Sequence, residues 1–294
     1  MLALLAEYTV FHNPALAPEG NAMLSVLKES FLRSGYDVIT PESGDFEAEL
    51  RRLSPLADVG LVIAPDHLLG KYSKIIEENC HTIGCGSLNC ALCSNKPHAG
   101  AILTAQGIAV PKDVTEGIRV IKEKKGAGAL NMRIADEEPG PGEFGQEFIE
   151  GEHMSVSLVI GRYVGDACSF YSGRPPLVLS LNRQYIRFDD GLVVFEGGEV
   201  GVDHPRRDEI IATAIKAATV LGCQGYAGVD VIVGDQVYVV DVNPRPTSSL
   251  TGIAAVMEEE IADILVAASK GDVPESVRLT GKARYDKNGT VTVL

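Results

Sequence analysis

The 294-residue chain has no tryptophan, few aromatic residues of any kind (6%), and fewer basic than acidic side chains, 26 Lys and Arg against 40 Asp and Glu. A formal charge of −14 at pH 7 excludes an indiscriminate nucleic-acid binder, which needs a basic surface to displace counterions. No apolar run approaches the roughly 18 residues of a membrane span. The N-terminal stretch LALLAEYTV is short, carries Glu7 and has no basic region before it, so it does not read as a signal peptide. These absences lead to the expectation of a soluble, cytoplasmic protein without nucleic-acid or membrane partners. At this length the chain can form two or three packed units around a substantial core.

Six cysteines are present, and Cys80, Cys85, Cys90 and Cys93 lie close together. The last three have C-x4-C-x2-C spacing, part of a plant-type iron–sulfur run. Residues 87–93 also read as the capped start of a helix, and small buried cysteines are common in cores. Reduced structural thiols are therefore favoured over a cluster.

The most informative stretch is residues 225–251, GYAGVDVIVGDQVYVVDVNPRPTSSLT. Two runs of β-formers, 228–233 and 236–242, flank Gly234-Asp235, the composition of a two-residue hairpin turn. That register pairs Val233 with Gln236 and sets Asp230 opposite Val239. It places Asp230, Asp241 and Asn243 on one face, with the two carboxylates as diagonal neighbours roughly 7–8 Å apart. The other face carries Val229, Val231, Val233, Tyr238, Val240 and Val242. Two carboxylates and an amide on a greasy hairpin are costly to bury without a compensating cation. Such oxygen donors suit Mg²⁺, which completes its shell with water and nucleotide phosphates. A solvated strand rim is the plainer alternative, and three oxygen side chains on one face, followed by Arg245, weigh against it.

GVDVIV followed by VYVVDVNPR resembles the closing motif of the ATP-grasp ligases. The resemblance implies that Asp230, Asp241 and Asn243 hold the Mg²⁺ (or Mn²⁺) of ATP, Asp241 being one methylene shorter than the family's usual Glu. Ser94-Asn95-Lys96, a helix to about residue 106 and then GIAVPK resemble the entry motif, which sends Lys96 to the phosphates. Lys122, Gly126 and Gly128 resemble the strand and glycine-rich lid, whose backbone N–H groups approach phosphate closely. GQEFIEGEH resembles the adenine hinge and implies Gln146, Glu147 and Ile149 there. The ribose-binding acid would be Glu152, or else His153 in its place. LSLNRQYI and GGEV, with EGEHMSVSLVIG and EYTVFHNPALAPEG, look like the archaeal ligases that join tyramine to glutamate in methanofuran biosynthesis.

That resemblance implies an ADP-forming carboxylate–amine ligase acting on L-glutamate and tyramine or another amine. Arg245, between two prolines, is the candidate for holding the transferred phosphoryl group or an oxyanion. Arg183 either grips a substrate carboxylate with its planar fork or is a surface ion-pair partner. A ligase with a different acid and amine, or a nucleotide-binding protein without catalysis, are the alternatives. The oligomeric state stays open, a homo-oligomer included.

In order along the chain, the first ninety residues alternate strand and helix, the rhythm of a parallel sheet covered by helices. An α/β architecture is expected: a small Rossmann-like pre-ATP-grasp unit over 1–93, an ATP-grasp small or lid unit over 94–150, and a C-terminal unit over 151–294 that contains the hairpin. Residues 12–20 are expected to form a loop leaving a strand end, where ligands of open α/β sheets gather, and include His12 and Glu19. Lys96 and Lys122 are expected to be exposed lysines that contribute little to folding.

Overall fold

β1 (Leu2–Glu7) is buried from Ala3 onward, as befits a strand covered on both faces of a parallel sheet. The computed structural model describes residues 1–42, 44–125, 132–162 and 174–294. After β1 come a short helix α1 (Thr9–His12) and α2 (Ala17–Arg33). The expected loop at 12–20 is thus largely helical, and its Pro18 sits in the first turn of α2, where a missing N–H costs nothing. Met23, Leu27 and Phe31 form the buried stripe of α2, and Gly35, at φ +81°, closes the helix. His12 stacks on Tyr8 at 4.5 Å and contacts the Gly44 carbonyl, a structural position.

β2 (Asp37–Ile39), α3 (Phe46–Leu53), β3 (Val59–Ile63), α4 (Asp66–Asn79) and β4 (His81–Thr82) complete a four-stranded parallel sheet in the order β2-β1-β3-β4. Asp45 caps α3 by accepting from the Glu47 and Ala48 N–H groups. α5 (Ser87–Ser94) and α6 (Lys96–Ala105) follow; Gly86, not Ser87, is the N-cap of α5, because the Ser87 hydroxyl donates to Glu77 instead.

β5 (Arg119–Glu123), β6 (Arg133–Ala135) and β7 (Glu143–Gln146) then form one end of a second sheet. β8 (Glu152–Ile160), β9 (Leu177–Asp189), β10 (Leu192–Val200), α7 (Arg207–Val220), β11 (Gly225–Val233), β12 (Val237–Asn243), α8 (Ser249–Val256), α9 (Ile261–Ser269), β13 (Ala283–Asp286) and β14 (Val291–Val293) complete the chain. The second sheet runs β12-β11-β8-β9-β10-β6-β5-β7, with β13 and β14 extending from β10. Where they pair directly, its neighbours are antiparallel, so side chains alternate between a face packed on the core and a face open for a site.

The β11–β12 register corrects the expected hairpin. Val233 pairs with Val237, leaving three connecting residues, and Asp230 pairs with Asp241 rather than Val239. The shift falls between Asp230 and Val231, where one residue of β11 steps past two of β12. The bulge turns Val240 to the same side as Asp241, so Val240 leaves the apolar face assigned to it and lines the cavity.

Candidate active site

A cavity of about 230 Å³ lies over the open face of the second sheet. Strand alternation supplies its floor: Asp230 and Ile232 from β11, His153 and Ser155 from β8, Gln184, Ile186 and Phe188 from β9, and Phe195 from β10. Val120 and Lys122 of β5 and Gln146 of β7 close it from the opposite side. Lys96 enters from the start of α6, where Asn95 caps the helix by accepting from the His98 N–H.

Charge is concentrated at one end. Lys96 Nζ donates to Asp241 and, at 3.3 Å, to Asp66 Oδ2; Arg245 lies 3.6 Å from Asp66 Oδ1. Lys122 Nζ donates to the Val240 carbonyl at 3.2 Å. Asp230 accepts from Gln184 Nε2 at 2.9 Å and Asn243 Nδ2 at 3.2 Å. Neither lysine is a surface residue: the Lys96 side chain is 10% exposed and Lys122 only 8%. The expectation of exposed lysines fails because their partners lie 30, 145 and 118 residues away in the sequence.

Burial sets the protonation of this group. Desolvation, reinforced by Asp241, pushes Asp230 up to about 7, and desolvation pulls Lys122 down to about 8. Burial would also lower Lys96 and raise Asp241, yet their mutual attraction prevails, raising the lysine and lowering the carboxyl. Asp66 stays above its ordinary value, desolvation outweighing Lys96 and Arg245. Among the described residues Asp66 Oδ1 and Arg245 Nε are buried without a hydrogen-bond partner, unspent capacity of the kind that collects at functional sites.

The donor set fits a hard divalent cation. Asp230 and Asp241 face each other across the bulge with Asn243 beside them, two carboxylates and an amide that leave most of the shell to water and phosphate. Among the described residues no group of three or more His, Cys, Asp or Glu side chains could hold a metal; the donor set here has two carboxylates, its third member being an amide. Asp230 also keeps its proton more tightly than an ordinary carboxyl, the behaviour of a site short of positive charge.

The other end of the cavity is lined by the stretch that resembles the hinge. Glu147, Phe148 and Ile149 line it, and the Glu147 N–H donates to the Lys112 carbonyl at 2.9 Å. Among the described residues the Glu147 carbonyl and the Ile149 N–H have no partner. His153 lines the cavity near Phe188, ring centroids 6.2 Å apart, while Glu152 is half exposed beside Arg183 and His204. Of the two ribose candidates, only His153 points inward; burial lowers its pKa and favours the neutral ring.

Arg183 does not join the others. It alternates with Gln184 on β9, lies outside the cavity and forms a 3.2 Å ion pair with Glu152. Gly126 and Gly128 lie outside the described residues. The cysteines fit the favoured reading of structural thiols: Cys85, Cys90 and Cys93 are buried together with Cys223, whose sulfur is 3.9 Å from that of Cys93, and Cys80 packs apart near Gly60. All of these are free thiols. Asp66 was missed from sequence, although its place just beyond β3, after Pro65, is where strand-end ligands gather.

A family profile described as an ATP-grasp domain matches residues 93–249, the span that carries both lysines and the hairpin. The chain belongs to the ATP-grasp family. It is 35% identical over 296 aligned residues to a tyramine–L-glutamate ligase of Methanocaldococcus fervens, covering 90% of this chain and 93% of the relative. A tyramine–L-glutamate ligase of Methanocaldococcus jannaschii is 31% identical over 261 residues, covering 84% of this chain and 77% of that one. A crystal structure of an ATP-grasp superfamily protein from Archaeoglobus fulgidus matches with a TM-score of 0.77 at 24% identity, covering 97% and 92% of the two chains. This ATP-grasp chain is an ATP-dependent ligase that forms C–N bonds, and its family uses ATP with divalent metals. Among the described residues no helix is long and apolar enough to cross a membrane.

Proposed function

We propose that the chain joins the γ-carboxylate of L-glutamate to tyramine, releasing ADP and phosphate, as a step of methanofuran biosynthesis. The observation that carries this reading is the identity of 35% to a tyramine–L-glutamate ligase over nine-tenths of the chain. In this reading the glutamate carboxylate attacks the γ-phosphate of ATP, forming an acyl phosphate and ADP. The amine nitrogen then attacks the acyl carbon, the C–O bond to phosphate breaks, and the amide nitrogen loses its extra proton.

The chain's own work is positioning and charge neutralisation. Asp230, Asp241 and Asn243 would hold Mg²⁺ or Mn²⁺, which when bound offsets phosphate charge and orients the phosphates. Lys96 reaches the same end from α6 and Lys122 from β5, and each can turn from its protein partner to a phosphate oxygen. Arg245, held between prolines and with its Nε unsatisfied among the described residues, would meet charge that develops during transfer. His153, Glu147 and Ile149 would seat the nucleoside. A domain division at 93 and 150, as the sequence suggests, would set the hinge between a lid unit and the hairpin unit.

The test is ADP release with ATP, Mg²⁺ and L-glutamate against a panel of amines, with the amide identified by mass. Turnover with tyramine well above the other amines is expected. Silence with tyramine and turnover with another amine would replace the substrate assignment while leaving the ligase intact.

A further inference from the structure

Beyond Arg245 the cavity continues into a polar end with no assigned ligand. Glu19 from the first turn of α2, Thr247, Ser248 and Ser249 at the start of α8, and Tyr285 of β13 line it. Tyr285 is 2% exposed, and among the described residues its hydroxyl has no hydrogen-bond partner although it faces the cavity. The ring is seated on Gly198, where an added Cβ would lie 2.7 Å from the hydroxyl oxygen and 2.9 Å from the ring carbon that bears it. Only glycine leaves that space, and backbone closes in first at both positions, the Arg183 carbonyl at Gly198 and the Tyr285 carbonyl at Gly197.

Burial, then the charges of Asp230 and Glu19 among others, raise this hydroxyl's pKa; Asp230 belongs to the candidate cation site, and Glu7, a neighbour of Glu19, is already taken up. Glu7 is 3% exposed and already accepts from Thr9 Oγ1 at 2.7 Å and the Val10 N–H at 2.8 Å. Glu19 faces the cavity; burial lifts its carboxyl above the usual range against the opposing pull of the Ser248 hydroxyl and Arg245. A primary ammonium has three donors and no acceptor, so a carboxylate flanked by hydroxyl oxygens satisfies it. Phe195 lies beside Tyr285, ring centroids 6.5 Å apart, and adds an aromatic wall that attracts a cation or an aryl group.

We propose that Glu19 and Tyr285 form the seat for the primary ammonium of a substrate, Glu19 supplying the charge and the Tyr285 hydroxyl a neutral acceptor. The inference rests on the ligase reading. An ammonium can come from the acceptor amine or from the α-position of the amino acid, and the chemistry of the seat is the same for both.

Steady-state kinetics of the full chain, varying ATP, amino acid and amine separately in wild type, Glu19→Gln and Tyr285→Phe, tests it. Loss of a charge-assisted hydrogen bond predicts a KM for one ammonium-bearing substrate about 10–100-fold higher in Glu19→Gln and about 5-fold higher in Tyr285→Phe, with KM for ATP within about 2-fold. Glu19→Asp should recover part of the loss. If the moved KM is that of the amine, the amine occupies the seat. If it is that of glutamate, glutarate, which lacks the α-ammonium, should be used equally by wild type and Glu19→Gln. Unchanged KM for both substrates in both variants overturns the seat. Should wild type release no ADP with any pair, the ligase reading fails, and the seat is then read from the melting temperature with Mg-ADP: a rise on adding tyramine or glutamate that Glu19→Gln lacks upholds it, and equal rises overturn it.

Discussion

At the inner end of the cavity Lys96, Asp66, Asp241 and Arg245 interlock at ion-pair distance and are mostly buried. At the end that resembles the hinge, Phe148 and His153 each meet Phe188 through ring contacts, with Phe148 39% and Phe188 49% exposed. The difference separates two kinds of candidate site residue. In the proposed reading, buried charges that await a nucleotide must be compensated by one another meanwhile, so folding and function would rest on the same side chains there. Half-exposed rings around a hinge carry little folding energy and are free to serve the ligand alone.

Lys96→Ala breaks this contrast hardest, because it strips two buried carboxylates of their shared cation. A loss of about 3 kcal/mol in stability is expected, read by denaturant unfolding, along with weaker ATP binding. Unchanged stability would show that Lys96 is as dispensable to the fold as a surface lysine.

The pH dependence of Asp230→Asn comes next. Asp230 has a folded value of about 7 against an ordinary 3.8, so the folded state holds its proton more tightly than the unfolded chain does. Its contribution favours folding fully below the lower value and is lost as pH rises through the higher one. The ligand-free variant should therefore exceed wild type by about 1–2 kcal/mol at pH 8, discounted for water in the open cavity, and lose that advantage as pH falls towards 4. A constant gap across that range would contradict the burial argument.

At the hinge, Phe148→Ala and His153→Ala should each leave stability within about 1 kcal/mol of wild type while raising KM for ATP about 10-fold. The smallest effect belongs to Arg183→Ala. Its exposed pair with Glu152 is worth about 0.5 kcal/mol or less, and KM values for ATP, glutamate and amine should not move.

Sequence carried the parallel sheet and α2 well, because Met23, Leu27 and Phe31 repeat at helical spacing and Gly35 marks the stop. It also carried Asp230, Asp241 and Asn243 as a group, since strand alternation needs no tertiary knowledge. What it missed depends on distant partners. One extra residue at Val240 re-aims half a strand, and the composition around Gly234-Asp235 gives no sign of it. Whether a lysine is buried is decided by carboxylates far along the chain, as for Lys96. Tyr285 sits on a four-residue strand too short for periodicity, and the glycine beneath it is in β10.

The central claim is that Asp230 and Asp241 face each other to hold the divalent cation of ATP. The rise in melting temperature that Mg-ATP confers, measured in wild type and Asp230→Asn beside ADP release, tests it most directly. The account predicts a clear rise for wild type, a rise that shrinks or vanishes in a variant whose apo form is no less stable, and ADP release down by about 100-fold or more. An undiminished Mg-ATP shift with normal turnover in Asp230→Asn would contradict it.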